Sequence, residues 1–135
     1  MDNLGDVLKA GMQATRTKVV THELTVQHAY PSLPAVFATP QMIYQMEMAA
    51  ADAIAASLPD GWGSVGTLVD VRHLAATPVG MQIVARAEVI EVRQKTVRFR
   101  CEAHDERECI GEGFHERGVV ELERFIAGVE RKQLA

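Results

Sequence analysis

One long helix-forming run stands alone in this 135-residue chain, and nearly everything after it reads as β-structure. The run extends from Pro40 to about Leu58, "PQMIYQMEMAAADAIAASL". It is rich in Ala, Met, Glu and Gln, has no glycine, and carries proline only at its first position. At ~100° per residue, Met42, Ile43, Met46, Ala50, Ala53 and Ile54 gather on one side, with Gln45 and Asp52 opposite. Glu47 projects at the margin of the apolar sector. A single helix cannot bury its own apolar face, so the rest of the chain has to cover it.

Downstream, the stretches 64–76, 80–92, 95–104 and 110–123 alternate Val, Ile and Phe with polar residues and read as strands. "ATPVG", "RQ" and "DERE" separate them. These connections are shorter than the dozen or so residues a parallel crossover needs, so the spacing predicts antiparallel hairpins in a four-stranded meander. A first strand is expected over 18–26, where Val20, His22, Leu24 and Val26 share one parity. "YPSLP" then forces a loop or lid. Residues 1–16 are polar with weak periodicity and read as a loosely held arm; the tail "AGVERKQLA" reads as a short helical turn or a frayed end. Residues 1–135 together read as a single α+β domain, a five-stranded antiparallel sheet wrapped around one long helix, which is the hotdog arrangement. Its edge strands invite pairing with another copy, and a dimer with a continuous sheet is expected.

Charge narrows the function classes. Fourteen Lys and Arg against eighteen Asp and Glu leave a formal charge of −4, with no basic run to follow a phosphate backbone, so nucleic acid is not an expected partner. No apolar run approaches the ~18 residues that cross a bilayer, and the opening "MDNLGDVLKAG" lacks the order of a secretory signal. A cytoplasmic protein is expected, with Cys101 and Cys109 reduced.

Several candidate sites carry a dull reading and a sharp one. "GWGSVG", residues 61–66, matches G-x-G-x-x-G, but the helix precedes the glycines and a strand follows, the reverse of a dinucleotide site. A turn or a close backbone approach accounts for these glycines. Cys101, His104, Cys109 and His115 suggest zinc only loosely, because Cys101 and His104 fall on opposite faces of one strand, so no metal is expected. Thr39 before Pro40 has the signature of a helix N-cap, although a hydroxyl at a helix N-terminus also sits beside N–H groups suited to an oxyanion. Glu47, bordering the buried side of the helix, has to be paired, hydrogen-bonded or protonated, the dull reading being a surface glutamate that snorkels to solvent. His73 alternates with Val69, Val71 and Ala75, either as a core histidine or as a group able to take and return a proton near neutrality.

Thr39, Glu47 and His73, with the strings "FATPQMIYQMEMAA", "GSVGTLVDVRHLAATPVG" and "GFHERGVVELERF", resemble the fluoroacetyl-CoA thioesterase family of hotdog proteins over about residues 17–126. The resemblance implies that Thr39, Glu47 and His73 are catalytic, that Gly66 lies beside the thioester and that Arg117 lines the pocket. It also implies a homodimer with its sites at the subunit interface. On this reading His73 is general base or acid, Glu47 attacks the carbonyl or orients His73 and water, and Thr39 hydrogen-bonds the reacting group. Coenzyme A belongs to the substrate, and no separate cofactor is expected. The fluoroacetyl-specific member has a longer, phenylalanine-bearing lid where this chain has "YPSLPAVF", with Leu33 at the phenylalanine-like position. The shorter aliphatic lid implies a broader pocket for another short or branched acyl group. Two alternatives use the same fold. A non-catalytic acyl-CoA binder or sensor would not need an intact hydroxyl, acid and imidazole. A dehydratase would place histidine near the helix start, where this chain has Thr39.

Overall fold

The computed structural model describes residues 3–134. A 3-10 turn (Leu4–Asp6) leads into strand β1 (Gln13–Val19), a second 3-10 turn (His22–Leu24) and a short helix α1 (Val26–Ala29). The long helix α2 (Thr39–Ala55) follows. Next come strands β2 (Trp62–His73), β3 (Gln82–Val92), β4 (Thr96–His104) and β5 (Cys109–Glu121), and a terminal helix α3 (Leu122–Leu134). The strands form one antiparallel sheet in the order β1-β3-β4-β5-β2, with α2 packed against every strand. This is the hotdog arrangement. Among the described residues no helix is long and apolar enough to cross a membrane.

Alternation builds the core. Ile83, Ala85, Ala87 and Val89 of β3, and Val97, Phe99, Cys101 and Ala103 of β4, all turn to the helix side and are buried. The small side chains at the middle of both strands leave room for Met42, Met46, Ala49, Ala50 and Ile54 of α2. At Gly111 of β5 an added Cβ would fall 2.5 Å from Met42 Sδ, so glycine there lets the first turns of α2 lie against the sheet. The opposite face carries ion pairs, among them Arg98–Glu116 at 2.6 Å and Arg100–Glu112 at 3.2 Å.

Five sequence expectations are corrected. The first strand lies at Gln13–Val19, not 18–26, because His22–Leu24 and Val26–Ala29 turn into short helices, the second capped by the Thr25 hydroxyl. The supposed loose arm is packed from its first described residues: Leu4 and Leu8 are buried and β1 pairs with β3 along its length, while Met1 and Asp2 lie outside the described residues. The meander fails at its first hairpin. Strand β2 pairs with β5, not β3, and the connection between β2 and β3 crosses the end of the sheet, tied by Phe37 N–H to Thr77 C=O at 2.8 Å and Thr77 Oγ1–H to Asp105 at 2.9 Å. The tail, expected as a short turn, forms the 13-residue helix α3, starting where the sequence still suggested strand. Within α2, Gln45 is buried instead of opposing the apolar face.

Leu8 separates a packed arm from a loose one. Leu8→Ala is expected to cost about 2–4 kcal/mol in urea unfolding, the range for a truncated core leucine. A change below about 0.5 kcal/mol, the range of ordinary surface substitutions, would mean that the arm is loose in solution.

Candidate active site

Helix α2 starts one residue earlier than the Thr-Pro signature suggests. Ala38 is its N-cap and Thr39 its first helical residue, so the Thr39 hydroxyl is not needed as a cap. It lies instead 2.7 Å from Nδ1 of His73, at the end of β2. Register explains the meeting: His73 sits opposite Gly111, the glycine that admits the first turns of α2. Burial pushes the His73 imidazole below its ordinary pKa, with the Ala75 backbone opposing, and Nε2 is buried without a hydrogen-bond partner among the described residues. The Thr39 N–H, at a helix end where the peptide dipoles leave positive charge, also makes no hydrogen bond among the described residues.

Thr39 and His73 line a pocket of about 440 Å³ together with Val26, Val36, Phe37 and Leu74. Leu33 stands outside it, 40% exposed on the lid, so Val26 and Val36 supply the aliphatic wall. A concavity of about 450 Å³ between Trp62, Lys95, Arg124 and Phe125 holds none of the expected site residues.

A second group gathers further along β2. An added Cβ at Gly66 would stand 3.1 Å from Glu47 Oε1, 3.2 Å from His115 Cε1 and 3.7 Å from Arg117 Nη1, so this glycine lies closely among a carboxylate, an imidazole and a guanidinium, and a side chain there would press on them. Arg117 donates from Nε to Ser64 Oγ at 2.8 Å and from Nη2 to Ser64 C=O at 3.0 Å. Simple alternation would turn Gly66 away from His73. A β-bulge between Gly66 and Leu68 shifts the register by one residue, so Trp62, Ser64 and Gly66 face the helix side together with Val69, Val71 and His73.

The expected residues therefore form two groups within the chain: Thr39 with His73, and Glu47 with Gly66 and Arg117. Thr39 and Glu47 are ~12 Å apart along the helix, and Gly66 and His73 are ~20 Å apart along the strand. His115 is a member the sequence reading missed. The sequence offered it only as a loose zinc candidate; the signal for its place here is the parity it shares with Arg117 and Val119 in "HERGVV". The zinc set does not form: among the described residues no group of three or more His, Cys, Asp or Glu is placed to hold a metal, and burial pushes the Cys101 thiol up to about 12.

Set beside known proteins, residues 20–123 match the profile of a family described as fluoroacetyl-CoA-specific thioesterase. The chain is 41% identical over 133 residues to a fluoroacetyl-CoA thioesterase of Streptantibioticus cattleyicolor, covering 94% of this chain and 96% of that protein. A solved variant of the fluoroacetyl-CoA thioesterase in complex with acetyl-CoA superposes with a TM-score of 0.84 at 40% identity, covering 93% of this chain and 98% of that one. A Thermus thermophilus protein described as a thioesterase superfamily member superposes with a TM-score of 0.87 at 30% identity, covering 93% of both chains.

Two imidazoles with lowered pKa make stability depend on pH. Each resists protonation in the fold, so that its folded pKa lies below that of its unfolded counterpart, which takes a proton near the ordinary value of 6.5. Their contribution is therefore complete above pH 6.5 and is lost as pH falls below it. Urea midpoints should be flat between pH 8 and 7 and fall towards pH 5.5, with a shallower fall in His73→Asn. Equal slopes for the two proteins would contradict the His73 assignment.

Proposed function

Because the chain belongs to the fluoroacetyl-CoA-specific thioesterase family, we propose that it hydrolyses the thioester of a small acyl-CoA at a site shared between two protomers. It is an acyl-CoA thioesterase, a thioester hydrolase. The observation that carries the catalytic reading is the 2.7 Å contact between the Thr39 hydroxyl and His73 Nδ1, made at the start of α2 and facing the lid pocket. A cap would have turned that hydroxyl to its own helix.

Dimerisation supplies what one protomer lacks. Strand β2 is an edge strand, and Leu68 and Val69 on it are 40% and 44% exposed. Pairing β2 with its own copy across a two-fold axis near Asp70 sets the Gly66–Thr67 bulge of one protomer opposite His73 of the partner subunit. Adjacent strands run ~5 Å apart, so the ~20 Å along one strand becomes a contact across the interface. Thr39 and His73 then face the partner subunit's Glu47, Gly66 and Arg117.

In that composite site the thioester carbonyl oxygen is directed to the Thr39 N–H and hydroxyl at the helix N-terminus, which stabilise the charge developing on it. Glu47 takes a proton from a water whose oxygen attacks the carbonyl carbon; the C–S bond then breaks, and the proton taken from the water passes from Glu47 through His73 to the departing thiolate. If the Glu47 oxygen attacks instead, coenzyme A leaves as the thiolate, and a water cleaves the resulting acyl–Glu47 anhydride, its proton passing through His73 to the thiolate while the carboxylate is restored. Coenzyme A enters as part of the substrate, as acetyl-CoA does in the related structure, and the reaction calls on no further cofactor. The aliphatic pocket wall suits a short or branched acyl group. Apolar pockets separate neighbouring homologues by only ~1–3 kcal/mol, so activity should spread over several chain lengths.

Thiol release measured over a panel of short acyl-CoAs tests the reading. Wild type should turn over several members. His73→Ala should lose about 10²–10⁴-fold in kcat, and Thr39→Val about 10²-fold. Binding without release by wild type would favour a sensor instead.

A further inference from the structure

We propose that His115 is a positioning residue, a neutral imidazole that holds the Arg117 guanidinium and the Gly66–Leu68 bulge in place beside Glu47. What Arg117 is held for rests on the thioesterase reading; the geometry does not.

His115 is 1% exposed, and its ring stacks on that of buried Phe99 with centroids 6.1 Å apart. Both ring nitrogens are occupied, and their partners leave only one protonation state. Nδ1 lies 2.8 Å from the Leu68 carbonyl oxygen, which only accepts, so Nδ1 carries the hydrogen. Nε2 lies 3.1 Å from Arg117 Nη1, which only donates, so Nε2 is bare. A second proton would set two donors against each other beside a second positive charge. Burial pushes the imidazole below its ordinary pKa and Arg117 adds to this, against the Leu68 carbonyl, Glu47 and Glu116.

Each end of the ring supports something different. Leu68 is the first residue after the bulge that turns Gly66 to the helix side, so the Nδ1 bond braces that distortion from within the sheet. The Nε2 bond completes the set around Arg117, which is 5% exposed. All three hydrogen-bond partners of its guanidinium are neutral: Ser64 Oγ, Ser64 C=O and His115 Nε2. Among the described residues Arg117 makes no ion pair. Its charge is thus fixed in direction without a carboxylate partner to cancel it, and Glu47 is the group whose charge acts on it most. A guanidinium so placed can orient Glu47 for its part in the reaction only while its own orientation is kept, since displacements of about 1 Å cost on the order of 10²-fold in rate.

Two measurements test the assignment. Nitrogen-15 spectra of the wild-type protein at neutral pH should show His115 as the Nδ1–H tautomer, with any titration displaced below the ordinary value of 6.5. An Nε2–H ring, or a titration near 6.5, would overturn the proposal whatever the enzyme does. In kinetics, His115→Leu should lower kcat about 10²-fold with KM changed less than about 3-fold, and His115→Gln, which again offers Arg117 an acceptor, should recover about 10-fold of the loss. In a double-mutant cycle, His115→Leu combined with Arg117→Gln should be no slower than Arg117→Gln alone. Multiplicative losses would mean that His115 does not act through Arg117. If wild type hydrolyses none of the acyl-CoAs, the thioesterase reading fails, and the spectra still decide the state of the ring.

Discussion

A one-residue bulge in an edge strand is the constraint on which the site depends. Without it β2 would alternate regularly, and Gly66 and His73, of opposite parity, would point to opposite faces of the sheet. The extra residue between Gly66 and Leu68 brings both to the side covered by α2. One distortion thus lets a single strand serve both groups of polar residues, and His115 pins it from the neighbouring strand at 2.8 Å.

The rest of the fold follows from covering one helix. Methionine and alanine on α2 meet alanine, cysteine and glycine on β3, β4 and β5, and the small residues allow the close approach that larger ones would prevent. Close approach places the start of α2 against the end of β2, where Thr39 and His73 meet. The same packing leaves Glu47 half-buried at the helix margin, facing the bulge. The two polar groups are a consequence of where the helix lies across the sheet.

Much of this was legible in the chain itself, and the failures have physical reasons. The helix was readable because an Ala- and Met-rich run without interior glycine or proline has few competing conformations. Strands β3, β4 and β5 were readable because one buried face and one charged face enforce alternation. The β2–β3 crossover was hidden, since a connection short enough for a hairpin can also cross a sheet end when a hydrogen bond from a buried side chain, such as Thr77–Asp105, holds it. Leu4, Val7 and Leu8 were a few apolar residues in a largely polar stretch, and the burial of Leu4 and Leu8 depends on tertiary contacts that periodicity does not report. Thr39 reads the same whether its hydroxyl caps the helix or turns to His73. His115 stood in the charged run "HER", where neighbouring Glu and Arg suggest solvent, yet alternation sends it with Arg117 into the interior.

The central claim is that Thr39 and His73 of one protomer work with Glu47 of the other. Co-expression of a differently tagged His73→Ala chain and Glu47→Gln chain tests it. Each variant alone should be inactive, but a mixed dimer would combine both substitutions in one site and leave the other intact. Purified mixed dimers should therefore show about half of the wild-type turnover, as expected for one working site of two in a symmetric dimer. Mixed dimers as inactive as either parent would place all three residues within a single protomer and contradict the account.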